Sequence, residues 1–472
     1  MSRHLSLASV ITLIITLVNC VDICDHCVCS YNNKNENDFQ GENVDCSYGK
    51  IKLEYGFQLP FSIFALDLSF TNLSMISPDT LFKSKTMAEL FLNNNAIVNI
   101  SSDAFQLPEL RKLDLSNNFL EHIQQETFRN VRKLEYLNLA NNRFTTFEKL
   151  TFHPLFALQE VILDNNNIGP SLKDNNLFDR SGYGLTNKIK AVSISGINLN
   201  TVPDNFFVDA YDIRKIIISN NNLTDIFELP FTIEYLDISD NPIQEIEAED
   251  FTDALILKDL KLNNLAIKEI PPFTFEKTNY MNIELERNRN LTVFSNLSFG
   301  RQVMLDTYDF SVQNLSLKGS RLTTLDESLS VLFGMLTRLD LQGNPWMCDC
   351  HILWIKKLQI PEKDRDHLRC ATPRTLYNAR IFDLDEKYFV CPPDKHIIGA
   401  SIAIIAICIT LAIIAVWLFV FVPRKNTRAA WLSYLYSPAA AYTMLPRANH
   451  ARVPLTRSHC ERITSAERNA VS

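Results

Sequence analysis

Apolar residues recur through the middle of this chain in one register, L-x-x-L-x-L-x-x-N-x-L. Leu110 opens LRKLDLSNNFL, Leu134 LEYLNLANNRF, Leu158 LQEVILDNNNI, Ile213 IRKIIISNNNL, Ile233 IEYLDISDNPI and Leu336 LTRLDLQGNPW. Looser copies open at Ile63, Met87, Ile189, Leu257, Tyr280 and Val312, and most starts lie 23 or 24 residues apart. That period predicts a solenoid of about twelve coils, because each unit is too small to bury its own leucines and must stack on its neighbours. The L-x-L step predicts a short strand, with parallel stacking of the strands into one curved sheet.

The asparagine after each strand has an amide able to satisfy backbone groups in the turn. It stands at Asn95, Asn118, Asn142, Asn166, Asn221, Asn241, Asn288 and Asn344, with Thr71 and Ser320 as partial substitutes. Ile197 and Leu265 occupy the same position without that chemistry, while Asn198 and Asn264 lie beside them, so the register is open at those two turns. A second series, Phe82, Phe105, Phe128, Phe152, Phe251, Phe275 and Phe299, predicts an aromatic spine in the back of the coils. Two coils are long: the fifth, with its insertion over Gly169 to Gly184, and the tenth, through Leu297 to Tyr308. The seventh has 20 residues and contains Pro230, which predicts a change of curvature.

Two stretches break the alternation. Arg3 and His4 precede an apolar run from Leu5 to Val18, with small residues at Val18 and Cys20, which reads as a signal peptide over 1–20 cleaved near Cys20. The 26 residues from Ile397 to Val422 carry no charge and exceed the roughly 20 needed to cross a bilayer. Arg424, Lys425 and Arg428 follow, so the positive-inside bias predicts type I topology with a cytosolic tail. Gly399 and Ala403 could pack two such helices, a possible homodimer contact.

The whole chain is 46% hydrophobic and 21% charged, a globular profile. Charge is divided by the apolar span: the tail carries eight Lys or Arg against two Asp or Glu, near +6, and the mature ectodomain 37 against 52, about −15. An acidic ectodomain argues against nucleic acid or heparin as the main ligand. No G-x-S-x-G, H-E-x-x-H or phosphate-cradling glycine loop appears and the nine histidines are dispersed, so the expectation is a non-enzyme without cofactor or metal.

Eight cysteines bracket the repeats: Cys24, Cys27, Cys29 and Cys46 before them, Cys348, Cys350, Cys370 and Cys391 after. In an oxidising compartment they predict disulfides, with three pairings open for each cluster. Zinc would need a second ligand pair at finger spacing, and none is present.

The repeats, the N-terminal C-x2-C-x-C-x16-C and the C-terminal NPWMCDCHILWIKKL with Trp354, Cys370 and Cys391 resemble the extracellular leucine-rich-repeat receptor and adhesion superfamily, over roughly residues 24–391. The resemblance implies an α/β fold, a leucine-rich-repeat solenoid with a parallel concave sheet and loops and short helical turns on the convex side, closed by cysteine caps. It implies the pairs Cys24–Cys29, Cys27–Cys46, Cys348–Cys370 and Cys350–Cys391. The expected organisation is a cap at 21–62, repeats over 63–343, a second cap at 344–395, a membrane helix at 396–422 and a basic tail at 423–472. It also implies recognition of an extracellular or membrane protein at the plasma membrane, as an adhesion molecule or ligand-binding receptor. An auxiliary subunit of a channel or receptor, or an innate-immune pattern co-receptor, fits the domainless tail as well.

Side chains alternate along a strand, so the residue between the two strand leucines is expected to project from the concave sheet. From these and their neighbours, Phe91, Asp114, Tyr136, Asn138, Ile162, Ile217, Tyr235 and Asp237 are the candidate ligand-binding residues, apolar and aromatic anchors among acids. Sequons stand at Asn72, Asn99, Asn222, Asn290, Asn296 and Asn314. Asn314 precedes a strand leucine, so a glycan there would shield the C-terminal third of the concave sheet and leave the middle for a ligand. In the tail, Tyr442 with Leu445 resembles an endocytic sorting signal, while Trp431, Tyr434 and Tyr436 suit the headgroup region.

Overall fold

The structure is a computed structural model that describes residues 21–32, 41–49, 57–77, 82–150, 152–174, 184–185, 188–203, 206–207, 210–276, 279–301, 310–391 and 395–421. The signal-peptide reading over 1–20, most of the insertion after Asp174, and Tyr442 with Leu445 lie outside them. The chain divides into two units, Met1–Pro392 and Pro393–Ser472.

Fourteen strands form the main sheet of the first unit. The first two are β1 (Val28–Asn32) and β2 (Gly41–Asp45). The repeats then supply β3 (Ile63–Asp67), β4 (Glu89–Phe91), β5 (Lys112–Asp114), β6 (Tyr136–Asn138), β7 (Glu160–Ile162) and β8 (Ala191–Ser193). They continue with β9 (Lys215–Ile217), β10 (Tyr235–Asp237), β11 (Asp259–Lys261), β12 (Asn282–Glu284), β13 (Asn314–Ser316) and β14 (Arg338–Asp340). β1 and β2 pair antiparallel, and every later neighbour is parallel in chain order. All twelve repeats thus contribute a strand at the expected register. Leu66, Leu90, Leu113, Leu137, Val161, Val192, Ile216, Leu236, Leu260, Ile283, Leu315 and Leu339 stack inward as one buried row. Burying one such side chain stabilises by about 1.5–3 kcal/mol, and here the burial is against neighbouring coils.

Asparagine side chains stitch the turns. Asn142 Nδ2 donates to the carbonyls of Leu115 and Leu139 at 3.0 Å, while its Oδ1 accepts from Leu120 N–H at 3.0 Å. Where Ile197 and Leu265 replace asparagine, the following coil supplies the amide. Asn221 Oδ1 accepts from Ile197 and Leu199 N–H, and Asn288 Oδ1 accepts from Leu265 N–H. The freed side chains of Ile197 and Leu265 are buried, so the register continues through both turns. Thr71 and Ser320 each reach one strand carbonyl through their hydroxyls.

The residue just before the ladder position has positive φ in every repeat. It is Asn, Asp or Gly in most coils but Phe70 (φ 57°) in the first and Arg287 (φ 58°) in the tenth. Left-handed backbone disfavours such residues; Phe70 stacks its ring on Tyr48 at 4.4 Å, fastening the first coil to the preceding segment. Phe105, Phe128, Phe152, Phe251, Phe275 and Phe299 of the phenylalanine series are buried, as an inward spine requires. The convex side holds 3₁₀ turns and also short parallel strand pairs, such as Phe82–Lys83 against Phe105–Gln106.

Both ends are closed covalently by disulfides Cys24–Cys29, Cys27–Cys46, Cys348–Cys370 and Cys350–Cys391. At the C-terminal end Trp346 is fully buried and donates from Nε1 to Leu341 C=O, while Trp354 lies over the last coils, its Nε1 on Leu325 C=O. The second unit contains a helix over Lys395–Phe421. Its segment Gly399–Leu418 is long and apolar enough to cross a membrane, and its side chains are exposed.

Candidate binding surface

Parallel registry turns single strand positions into continuous rows. One outward row runs Phe91, Asp114, Asn138, Ile162, Ser193, Ile217, Asp237 along β4 to β10. The other runs Glu89, Lys112, Tyr136, Glu160, Ala191, Lys215, Tyr235 beside it. The eight candidate residues therefore lie on six strands, β4 to β7, β9 and β10, with Ser193 of β8 between Ile162 and Ile217.

Their exposure differs from the expectation. Phe91, Ile162 and Ile217 are half-buried and not freely exposed, and Ser193 and, further along, Asp340 are buried. Strands roughly 4.8 Å apart bring identical positions into side-by-side contact, and the occupants cover one another. Lys112 shows this directly: its ammonium lies 5.0 Å from the Phe91 ring centre and 5.3 Å from that of Tyr136. Lys215 repeats the contact with Tyr235 at 5.5 Å. Each such pair contributes about 0.5–1 kcal/mol at a semi-exposed site, and each holds an aromatic edge upright beside a cation. Lys112 and Lys215 share the register of Tyr136 and Tyr235 but are not among the candidates that the sequence offers, because a lysine there looks like an ordinary solvated charge. Reading down the first residue of each strand would have found them.

Polar groups in the strip are already ordered. Asp114 Oδ1 accepts from Ser116 N–H and hydroxyl, and its other oxygen from Asn138 Nδ2 at 3.2 Å; Asp237 caps Ser239 N–H. Burial, with the fields of Asp114 and Glu160, pushes the Tyr136 hydroxyl up to about 12, so it remains a neutral donor. Burial also raises Tyr235. Asp164, two residues past β7, is raised by burial although Ser193 Oγ and Ser195 N–H both donate to it at 2.7 Å. At the edge, Lys258 and Arg214 both donate to Glu234 and lower its carboxyl. A surface of fixed donors, acceptors and upright rings loses little side-chain freedom when covered.

Toward the C-terminal end the concave face becomes fully polar. A cleft of about 440 Å³ is lined by residues including Lys261, Glu284 and Ser316. The amide of Asn282 donates to Asp259, and that of Asn314 donates to Asn282. Among the described residues, Asp349, Cys350 and His351 gather as metal ligands would, but the Cys350 sulfur is bonded to Cys391 and offers no thiolate.

A stacked parallel sheet with an asparagine ladder and disulfides at both ends defines a leucine-rich-repeat protein. The chain matches the model described as "Leucine rich repeat" over residues 108–168 and the "BspA type Leucine rich repeat region (6 copies)" over residues 224–324. It is 27% identical to Tsukushi of Gallus gallus over 54% of this chain and 67% of that protein. It is 26% identical to chaoptin of Tribolium castaneum over 60% of this chain and 36% of that protein, and 23% identical to trophoblast glycoprotein of Macaca fascicularis over 64% and 60%. The match thus spans about a third to two thirds of these relatives. Among solved structures, the Toll–Spatzle complex is similar with a TM-score of 0.45 at 17% identity, covering 71% of this chain and 56% of that one. The chain carries leucine-rich repeats and is similar to extracellular leucine-rich-repeat receptor and adhesion proteins.

Proposed function

We propose that this is a single-pass type I cell-surface protein that recognises another protein through the central concave strip on β4 to β10, serving as an adhesion molecule or ligand-binding receptor. The observation that carries the reading is the strip itself: Lys112 packs against the rings of Phe91 and Tyr136 and Lys215 against that of Tyr235, in two rows that also carry Glu89, Asp114, Asn138, Glu160 and Asp237. Aromatic anchors within a polar frame are the composition that concentrates binding energy at interfaces. The sequon at Asn314, on β13, lies three strands beyond Asp237, so a glycan there leaves the strip open. The apolar helix Lys395–Phe421 supports anchoring in a membrane.

Proximity labelling from the ectodomain on intact cells would supply partners. Asp237→Arg combined with Ile217→Glu should then weaken partner binding at least tenfold with unchanged surface expression. Unchanged affinity would reject the concave strip, and partners found only within the same membrane would reject adhesion.

A further inference from the structure

The flank on which each coil enters its strand carries a groove of about 1400 Å³ over the first four repeats. Its lining comes from the five residues before Ile63, Met87, Leu110 and Leu134, successive coils in register. Lys83, Lys85, Arg129, Arg132 and Lys133 face it, and every one is exposed. Two carboxylates answer this charge: Glu109 pairs with Lys133 at 2.6 Å, and Glu126 approaches Arg129 at 3.9 Å. Five cations against two acids leave the groove near +3 on an ectodomain whose sequence is strongly acidic. At its rim Phe61 is 98% exposed, the most exposed large hydrophobic side chain among the described residues.

The sequons avoid this flank. Asn72 and Asn222 stand one residue after the ladder position, Asn290 two, Asn99 four and Asn296 eight, all on the exit side or back of the coil, and Asn314 is on the concave strand. None falls within the five residues before a strand-opening leucine, so the entry flank stays clear of sugar along its length.

We propose that this groove is a second docking surface, for a short acidic segment of a partner protein that places an apolar side chain against Phe61. Charge complementarity selects acid, and the bare ring adds an apolar anchor. A long polyanion such as a sulfated glycan would meet the repelling field of the surrounding acidic ectodomain, whereas a short segment lies within the groove's own positive field.

The test uses full-length protein in neutral phosphatidylcholine nanodiscs and the labelled peptide Asp-Glu-Asp-Phe-Glu-Asp, with Asn-Gln-Asn-Phe-Gln-Asn as the uncharged control. Saturable, salt-sensitive binding of the acidic peptide alone is expected. Lys83→Glu with Arg132→Glu should weaken it at least about tenfold and Phe61→Ser roughly threefold, with unfolding temperatures unchanged because all three side chains are exposed. Asp237→Arg with Ile217→Glu should leave it unchanged, which separates this surface from the concave strip. Equal binding of the two peptides, or variants that bind like the parent, would overturn the proposal. So would a heparin oligosaccharide that competes fully and ignores Phe61→Ser, since the site would then be one for polyanions.

Discussion

Asn118 offers a sharp measure of what the asparagine ladder contributes. Its side chain is 3% exposed; Oδ1 accepts from Ile97 N–H at 3.0 Å, and Nδ2 donates to the carbonyls of Leu92, Leu115 and Ser116 at 3.0, 3.0 and 3.1 Å. Truncation to alanine does not orphan all four groups. Leu92 C=O keeps Asn95 Nδ2, Leu115 C=O keeps Asn142 Nδ2 and Ser116 C=O keeps Asn94 N–H. Only the buried Ile97 N–H loses its partner, at a cost of about 1–3 kcal/mol. The nearly isosteric Asn118→Asp is worse, because it turns a donor into an acceptor facing three carbonyls and buries a charge; the loss should exceed about 4 kcal/mol. Coils contact only their neighbours, so the damage should centre on the second and third repeats. Amide hydrogen exchange across Leu92–Leu120, with denaturant unfolding of the full-length protein in detergent, reads both effects. The reasoning fails if the aspartate variant is as stable as the alanine variant, or if protection drops evenly along the solenoid.

Asp164→Asn should raise stability at neutral pH, since the amide keeps an acceptor for Ser193 and Ser195 while removing the buried charge. The sign follows from the raised carboxyl: its contribution is fully present below the unfolded value of 3.8 and is lost as pH rises through the folded one, so the variant's advantage in thermal unfolding should shrink on acidification and vanish below that value. An advantage that grows toward low pH would contradict it. Gly196 has φ +64° and a Cβ there would collide with Asn165 Oδ1, so Gly196→Ala should cost at least about 1–2 kcal/mol in denaturant unfolding. Gly334→Ala, inside the helix Ser330–Met335 with nothing within 4 Å, should gain about 0.5–1 kcal/mol, and a loss there would show the helix is constrained by something else.

Much of this architecture is written locally. The spacing of leucines, the asparagines from Asn95 to Asn344 and the cysteine clusters specify coil, turn and end, because each coil repeats the same short-range contacts and the register needs no distant information. The apolar run after Ile397 is likewise a property of composition. What the linear pattern left open was decided across coils. Ile197 and Leu265 keep their place because Asn221 and Asn288, more than 20 residues later, reach back to their backbone. Phe91 and Ile217 look exposed along a single strand but are half-covered once strands stand side by side. Lys112 joins the candidate strip only through Phe91 and Tyr136 on the strands either side of it. The basic flank is more dispersed still: Lys83 and Arg132 lie 49 residues apart and share one groove because each stands shortly before its own strand. Sequence determines the coil, whose contacts lie within one period. The surface depends on which side chains stacking brings together from different periods, and only the tertiary structure decides that.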